Sequence, residues 1–178
     1  MYGLIDRDKR TKWNLKTILK EIAIAAVLIM ILSNIISYLR SPELSSTHLP
    51  KIEVQLLDGS HFSVEKGKPL LLHFWALWCP TCKLEAANIE ALSKKYNVLT
   101  VVVDSGNKEK IENYMKAHQL TFKVLNDYDS TWAKHFKVEA FPTTFVYDAK
   151  GELRFTEVGY TTTAGLLARL EWISKSSK

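Results

Sequence analysis

Cysteine is nearly missing from this chain of 178 residues. Its two copies, Cys79 and Cys82, both lie in the ten-residue stretch FWALWCPTCK. With no other cysteine, a zinc site would be two ligands short, and His48, His61, His118 and His135 would reach it only through the accident of tertiary placement. Net charge is also scarce after residue 40. Residues 1–40 hold seven Lys or Arg against three Asp or Glu, so +4 of the total +5 sits there and the other 138 residues are close to neutral. That distribution argues against a nucleic-acid-binding surface on the main domain. There is no internal repeat and no low-complexity tract, and the length leaves room for one ordinary domain with additions but not for two.

One further absence is local. From Ile22 to Leu39 the chain reads IAIAAVLIMILSNIISYL, without a single charge. As a helix these residues extend about 27 Å, enough for the hydrocarbon core of a bilayer. Six Lys or Arg precede the run and Arg40 alone follows closely, so the positive-inside rule predicts a cytoplasmic N-terminus and an exoplasmic remainder. A cleaved signal peptide has a shorter apolar core and a small-x-small site, and a buried soluble helix is seldom uncharged over such a length. The reading is a single-pass signal anchor at 22–39, with a basic cytoplasmic segment at 1–21.

SPELSSTHLP is polar and proline-bounded, so 40–50 is expected to be a linker and 51–178 the folded domain. In IEVQLLDGSHFSV, Asp58-Gly59 separates two alternating runs and predicts a hairpin. LLLHFWA is a nearly continuous apolar run, as in a central strand buried on both faces. A helix over 80–96 follows, with Ile89, Leu92 and Tyr96 on one face. Next come a strand at 98–104, a helix at 108–118 with Ile111, Met115 and His118 in register, an extended FKVLND and a short helix near 130–136. TTFVYD and LRFTEVG flank AKG as a second hairpin, and 163–174 closes the chain as an amphipathic helix with Leu166, Leu167, Leu170 and Ile173 inward. The order implies an α/β domain, a mixed central sheet with helices on both faces.

Cys79 is placed where a strand ends and a helix begins. Unpaired amides and the positive end of the helix dipole favour a thiolate there, which lowers the thiol pKa below its free value of about 8.5. Cys82, one turn later, is spaced to attack a mixed disulfide formed at Cys79. Pro80 suits the first helical turn, where its missing N–H costs no helix bond. A purely structural disulfide closing so tight a loop would remove little entropy from the unfolded chain. The redox reading is therefore preferred to the metal and structural ones.

FWALWCPTCK resembles the active-site segment of the thioredoxin superfamily. Several further features resemble its membrane-anchored TlpA-like branch, which includes the TlpA, ResA, DsbE and ScsD proteins. They are the apolar anchor, the Asp-Gly hairpin, GKPLLLHFWA, Glu85 three residues beyond Cys82, FPTTFVYDAKGEL and the late Gly159, in consistent order over roughly residues 50–175. The resemblance implies a thioredoxin fold with an added N-terminal β-hairpin, working outside the bacterial cytoplasmic membrane in thiol–disulfide exchange. It makes Cys79 the exposed nucleophile and Cys82 the buried resolving cysteine. Pro142 matches the cis-proline that offers backbone groups to an extended substrate, with Phe141 before it, and Trp78 matches the aromatic residue before the nucleophile. Glu85 matches an acid that tunes cysteine ionisation; without the resemblance it reads as a solvated first-turn glutamate.

The chain also departs from the branch. His73 stands where thioredoxins keep a buried acid, and it reads equally as a proton shuttle or a hydrogen-bonded core histidine. Proline comes first in the Cys-Pro-Thr-Cys dipeptide, Ala87 replaces a frequent proline, and Phe141 is bulkier than the usual residue there. The leading function is an anchored protein disulfide oxidoreductase acting as a reductase on exported proteins with thiols or disulfides. An upstream membrane electron carrier supplies it, and no cofactor or metal is needed beyond the cysteine pair. A monomer is expected. A disulfide-introducing oxidase is the rival within that chemistry. A binding module without turnover, holding an apoprotein, haem or copper with Cys79, Cys82 and His73 or Met115, is the rival outside it.

Overall fold

The computed structural model describes residues 15–42 and 46–176, and the chain falls into two units, one through Ile36 and one from Ser37 onward. The basic segment before residue 15 and part of the expected linker lie outside the described residues. The described part of the first unit is helical throughout, and helix α1, Leu15–Leu39, runs three residues past its end. It begins seven residues before the uncharged run, because helix geometry continues through the lysine-bearing turns. Within Lys16–Leu39 an 18-residue window reaches a mean hydropathy of 2.4, and the helix is long and apolar enough to cross a membrane. From Leu19 onward its Leu, Ile and Val side chains are exposed.

The second unit is built around a five-stranded sheet in the order β5-β4-β3-β6-β7. The strands are β3 (Leu70–Trp75), β4 (Asn97–Val103), β5 (Lys123–Asp127), β6 (Thr143–Tyr147) and β7 (Leu153–Val158). Strands β3, β4 and β5 run parallel, while β6 and β7 are antiparallel additions. All six residues of β3 are buried, His73 included, as its nearly continuous apolar run predicts for a strand covered on both faces.

Alternation along β3 divides the core. Leu71 and Trp75 point to one face, covered by α2 (Pro80–Ser93), α3 (Lys108–Ala117) and α5 (Thr163–Ser176) through Ile89, Ile111, Leu166 and Leu170. Leu70, Leu72 and Phe74 point to the other, covered by α4 (Thr131–His135) and by the hairpin of β1 (Glu53–Gln55) and β2 (His61–Ser63). Phe74, Phe136 and Phe145 cluster there with centroids 5.4 to 5.8 Å apart. Burying one such ring stabilises by about 1.5–3 kcal/mol. The Asp58-Gly59 turn forms as expected: Gly59 has φ +87°, and Asp58 Oδ1 accepts from the Ser60 amide at 2.9 Å.

Three expectations need correction. Helix α2 stops at Ser93, where a tight turn brings the amides of Lys95 and Tyr96 back to the Leu92 carbonyl, so Tyr96 is not on its face. Helix α3 ends at Ala117, leaving His118 as an exposed C-cap. Part of the expected linker is structured: Leu49 N donates to Gly151 O and Leu153 N to Thr47 O, both at 2.8 Å. The backbone there finds partners beside the start of β7, which a polar composition does not foretell.

Candidate active site

The sulfur pair sits where β3 gives way to α2. Cys79 is the N-cap of α2 with extended backbone, and Pro80 fills the first turn. The Cys82 amide donates to Cys79 Sγ at 3.1 Å, so the positive end of the helix is directed at that sulfur. The two residues form a disulfide with Cα atoms 5.3 Å apart. Cys79 is only 4% exposed against 1% for Cys82, which corrects the expectation of an open nucleophile. Loops from other elements cover it. The Phe141 carbonyl oxygen lies 3.7 Å from Cys79 Sγ, and Phe141–Pro142 is cis.

Trp78 is more than half exposed. Its ring meets Phe141 edge-on at 5.5 Å, and its Nε1 donates to the Asp104 carbonyl at 3.1 Å. Trp78 and Phe141 thus form an aromatic rim beside the disulfide. Beneath it, buried Ser105 accepts from the Leu77 amide at 2.9 Å and donates to the Val103 carbonyl at 2.8 Å. That serine ties the ends of β3 and β4 together under the cysteine loop. Sequence reasoning missed it, although VVVDSG, a polar turn directly after a central strand, was the available signal.

Glu85 lies one turn beyond Cys82 and is completely buried. Its Oε1 accepts from the Thr161 amide at 3.1 Å, while Oε2 is buried without a partner. Burial, opposed by the Thr161 hydrogen bond and reinforced by the charge of Glu157, pushes its pKa up from 4.5 to about 8. The solvated-glutamate reading is therefore wrong for this residue. Asn88, one turn further, was also missed. It donates to the Thr161 carbonyl at 3.0 Å and to Tyr160 Oη at 3.2 Å, and accepts from Thr163 Oγ1 at 2.9 Å. Its spacing of three from Glu85 put both on one helix face. Together they clamp the loop after β7, whose Gly159 amide donates to the Pro142 carbonyl at 2.8 Å.

His73 is buried in β3, and its Nδ1 is 2.8 Å from Thr144 Oγ1. Burial drives its pKa down from 6.5 to about 3, so it is neutral at physiological pH, in the setting of a hydrogen-bonded core histidine. The other four histidines lie elsewhere: His48 with Glu152, His118 against Tyr114, His135 against Phe136, and His61 exposed on β2. The arrangement is chemically a dithiol–disulfide couple at a helix N-terminus, rimmed by aromatic rings and underlain by neutral titratable groups.

The AhpC/TSA family model matches residues 46–156. The chain is 30% identical over 160 residues to a thioredoxin-like protein of Haemophilus influenzae, covering 88% of this chain and 95% of that one. It is also 30% identical over 117 residues to the sporulation thiol-disulfide oxidoreductase A of Bacillus subtilis, covering 61% and 71%. Among solved structures, an exposed lipoprotein thioredoxin of Streptococcus pneumoniae superposes with a TM-score of 0.62 at 26% identity, over 69% of this chain and 99% of that one.

Proposed function

Because this chain belongs to the AhpC/TSA family, and is one of its TlpA-like thiol-disulfide oxidoreductases of thioredoxin fold, we propose that it is anchored in the bacterial cytoplasmic membrane through residues 22–39 and reduces disulfides in exported proteins with Cys79 and Cys82. The Cys79 thiolate attacks one sulfur of a substrate disulfide. That S–S bond breaks, and the departing thiolate takes a proton. Cys82, having lost its proton, then attacks Cys79 Sγ as thiolate, expelling the second substrate sulfur as a thiolate that takes a proton, and closing the enzyme disulfide. Two electrons and two protons have passed to the substrate, and an upstream membrane electron carrier returns them to the pair. Trp78, Phe141 and Pro142 receive an extended segment of the substrate beside the sulfur atoms. The protein works as a monomer, and no cofactor beyond the cysteine pair enters this scheme.

The direction rests on one observation: among the described residues, no Lys or Arg is buried beside the sulfur atoms. His73 is neutral, Glu85 is an acid, and Lys83, the one cation in the first turn of α2, is exposed. A site that stabilises its thiolate strongly holds its reduced form and oxidises others, as DsbA does. Here the helix N-terminus acts without a cationic partner, and any ionisation of Glu85 would oppose it, so the dithiol gives up electrons readily. Equilibration of the full chain with glutathione buffers tests this. The expected potential lies below about −200 mV; a value near the −120 mV or so of a strong oxidant would reverse the direction.

A further inference from the structure

Among the described residues from Arg40 onward, five large hydrophobic side chains are exposed: Trp78, Leu84, Tyr128, Tyr160 and Trp172. Strand direction explains where they fall. β3, β4 and β5 are parallel, and β7, antiparallel to β6, runs the same way as β3. The C-terminal ends of β3, β5 and β7 therefore lie on one edge of the sheet, the edge that carries the cysteines. An exposed aromatic residue follows each of them: Trp78 after β3, Tyr128 directly after β5 and Tyr160 after β7. Leu84 joins them from the start of α2, because Asn88, four residues on and on the same helix face, donates to Tyr160 Oη at 3.2 Å. Trp172 is the exception, on α5 against Phe155 and Arg154.

Hydrogen bonds tie both tyrosines to the surroundings of the disulfide. On one side the Phe141 carbonyl lies 3.7 Å from Cys79 Sγ, and the Pro142 carbonyl accepts from the amide of Gly159, the residue before Tyr160. On the other, Trp78 Nε1 donates to the Asp104 carbonyl, and the Asp104 amide donates at 3.2 Å to the carbonyl of Asp127, the residue before Tyr128. β3 is the middle strand of five, and β5 and β7 are the outer two. The tyrosines thus flank the disulfide two strand spacings away on either side, which is about 10 Å, or about three residues of extended chain.

We infer that this edge is a docking surface for an extended, non-native stretch of polypeptide that carries aromatic or aliphatic side chains within about four residues of its cysteine, on both sides. The inference rests on the proposed function only in taking that stretch to belong to an exported substrate. Two observations select the occupant. Cys79 is 4% exposed and lies under the Phe141 carbonyl, so the flat face of a folded partner meets the aromatic rings before its sulfur reaches Cys79, whereas an unfolded chain can bend a cysteine inward. Lys83, beside Leu84, and Asp104, under Trp78, are exposed and opposite in sign, so they give the edge no single-sign field with which to select a charged partner. Contact with the rings supplies the attraction instead.

The test uses two peptides of one length and composition, each with serine in place of the central cysteine so that no exchange occurs. One carries its Phe and Leu residues within about four positions of the serine, and the other carries them at its ends; equal composition cancels uptake by detergent. Each is titrated into the oxidised full chain in micelles and followed by nitrogen-15 NMR. The first peptide is expected to bind about fivefold tighter, since one ring contact is worth on the order of two- to tenfold. Y128S and Y160S should each reduce that preference by about threefold, and W172S should keep it. Equal binding of the two peptides, a preference that survives in either tyrosine variant, or an equal loss in W172S overturns the inference. Because serine peptides bind without electron transfer, the result stands apart from the measured potential, which alone decides the reductase reading.

Discussion

Replacing Glu85 with glutamine should change how stability depends on pH, and the sign follows from the site. In the unfolded chain a glutamate ionises near 4.5, whereas folded Glu85 holds its proton to about 8. Below 4.5 both states are protonated and the burial of Glu85 costs little. As pH rises from 4.5, the unfolded state gains by ionising and the folded state does not, so stability falls until the folded carboxyl also ionises. The interval from 4.5 to about 8, at about 1.4 kcal/mol for each pH unit, sets a ceiling near 5 kcal/mol. Relaxation and water entry around the carboxyl bring the expected loss to roughly 2–4 kcal/mol. Glutamine keeps an oxygen for the Thr161 amide but brings an NH2 group where Oε2 has no partner, so at pH 5 the variant should be equal to or about 1 kcal/mol below the parent. At pH 8.5 it should be the more stable protein. Both are unfolded by denaturant as oxidised full chains in detergent, so that no thiol titrates. The difference between them cancels the opposite limb due to His73. That histidine's pKa is depressed from 6.5 to about 3, and its contribution is present above 6.5 and lost as pH falls. Parallel stability curves for parent and variant between pH 5 and 8.5 would show that Glu85 is not held protonated.

Further expectations concern the cysteines, the anchor and His73. Cys82→Ser should accumulate mixed disulfides on Cys79, and Cys79→Ser should abolish both turnover and trapping; trapping through Cys82 alone, read by non-reducing gels, would reverse the roles. A reporter active only outside the cytoplasm should work when fused after Lys178 and stay silent when fused before Ile22. Recovery of a mature protein starting near Ser41 would replace the anchor with a cleaved signal. His73→Asn should cost on the order of 1–3 kcal/mol through the lost Thr144 contact and the smaller side chain. Its rate per folded molecule should hold at neutral pH, and a large fall in that rate with an unchanged melting temperature would make His73 a proton shuttle instead.

Local chemistry in the sequence was enough to determine the elements and to single out the Cys79–Cys82 pair. An uncharged apolar run, Asp-Gly at a turn, a nearly continuous apolar run around His73 and a proline after Cys79 each act through neighbours a few positions away, and α1, the first hairpin, β3 and the start of α2 appear where those signals stand. The surroundings of the pair were a different matter. Glu85 is buried beside Thr161, 76 residues later, whose amide it accepts from, and His73 is held neutral by burial in a sheet whose next strand brings Thr144, 71 residues later, to its ring. The near-closure of Cys79 comes from Phe141, and the tie beneath its loop from Ser105. Ionisation is governed by desolvation and by charges a few ångströms away in space, and those distances exist only once β6, β7 and α5 have packed against α2 and β3. Spacing along the chain could name the cysteine pair. Only tertiary packing decided the charge states that surround it.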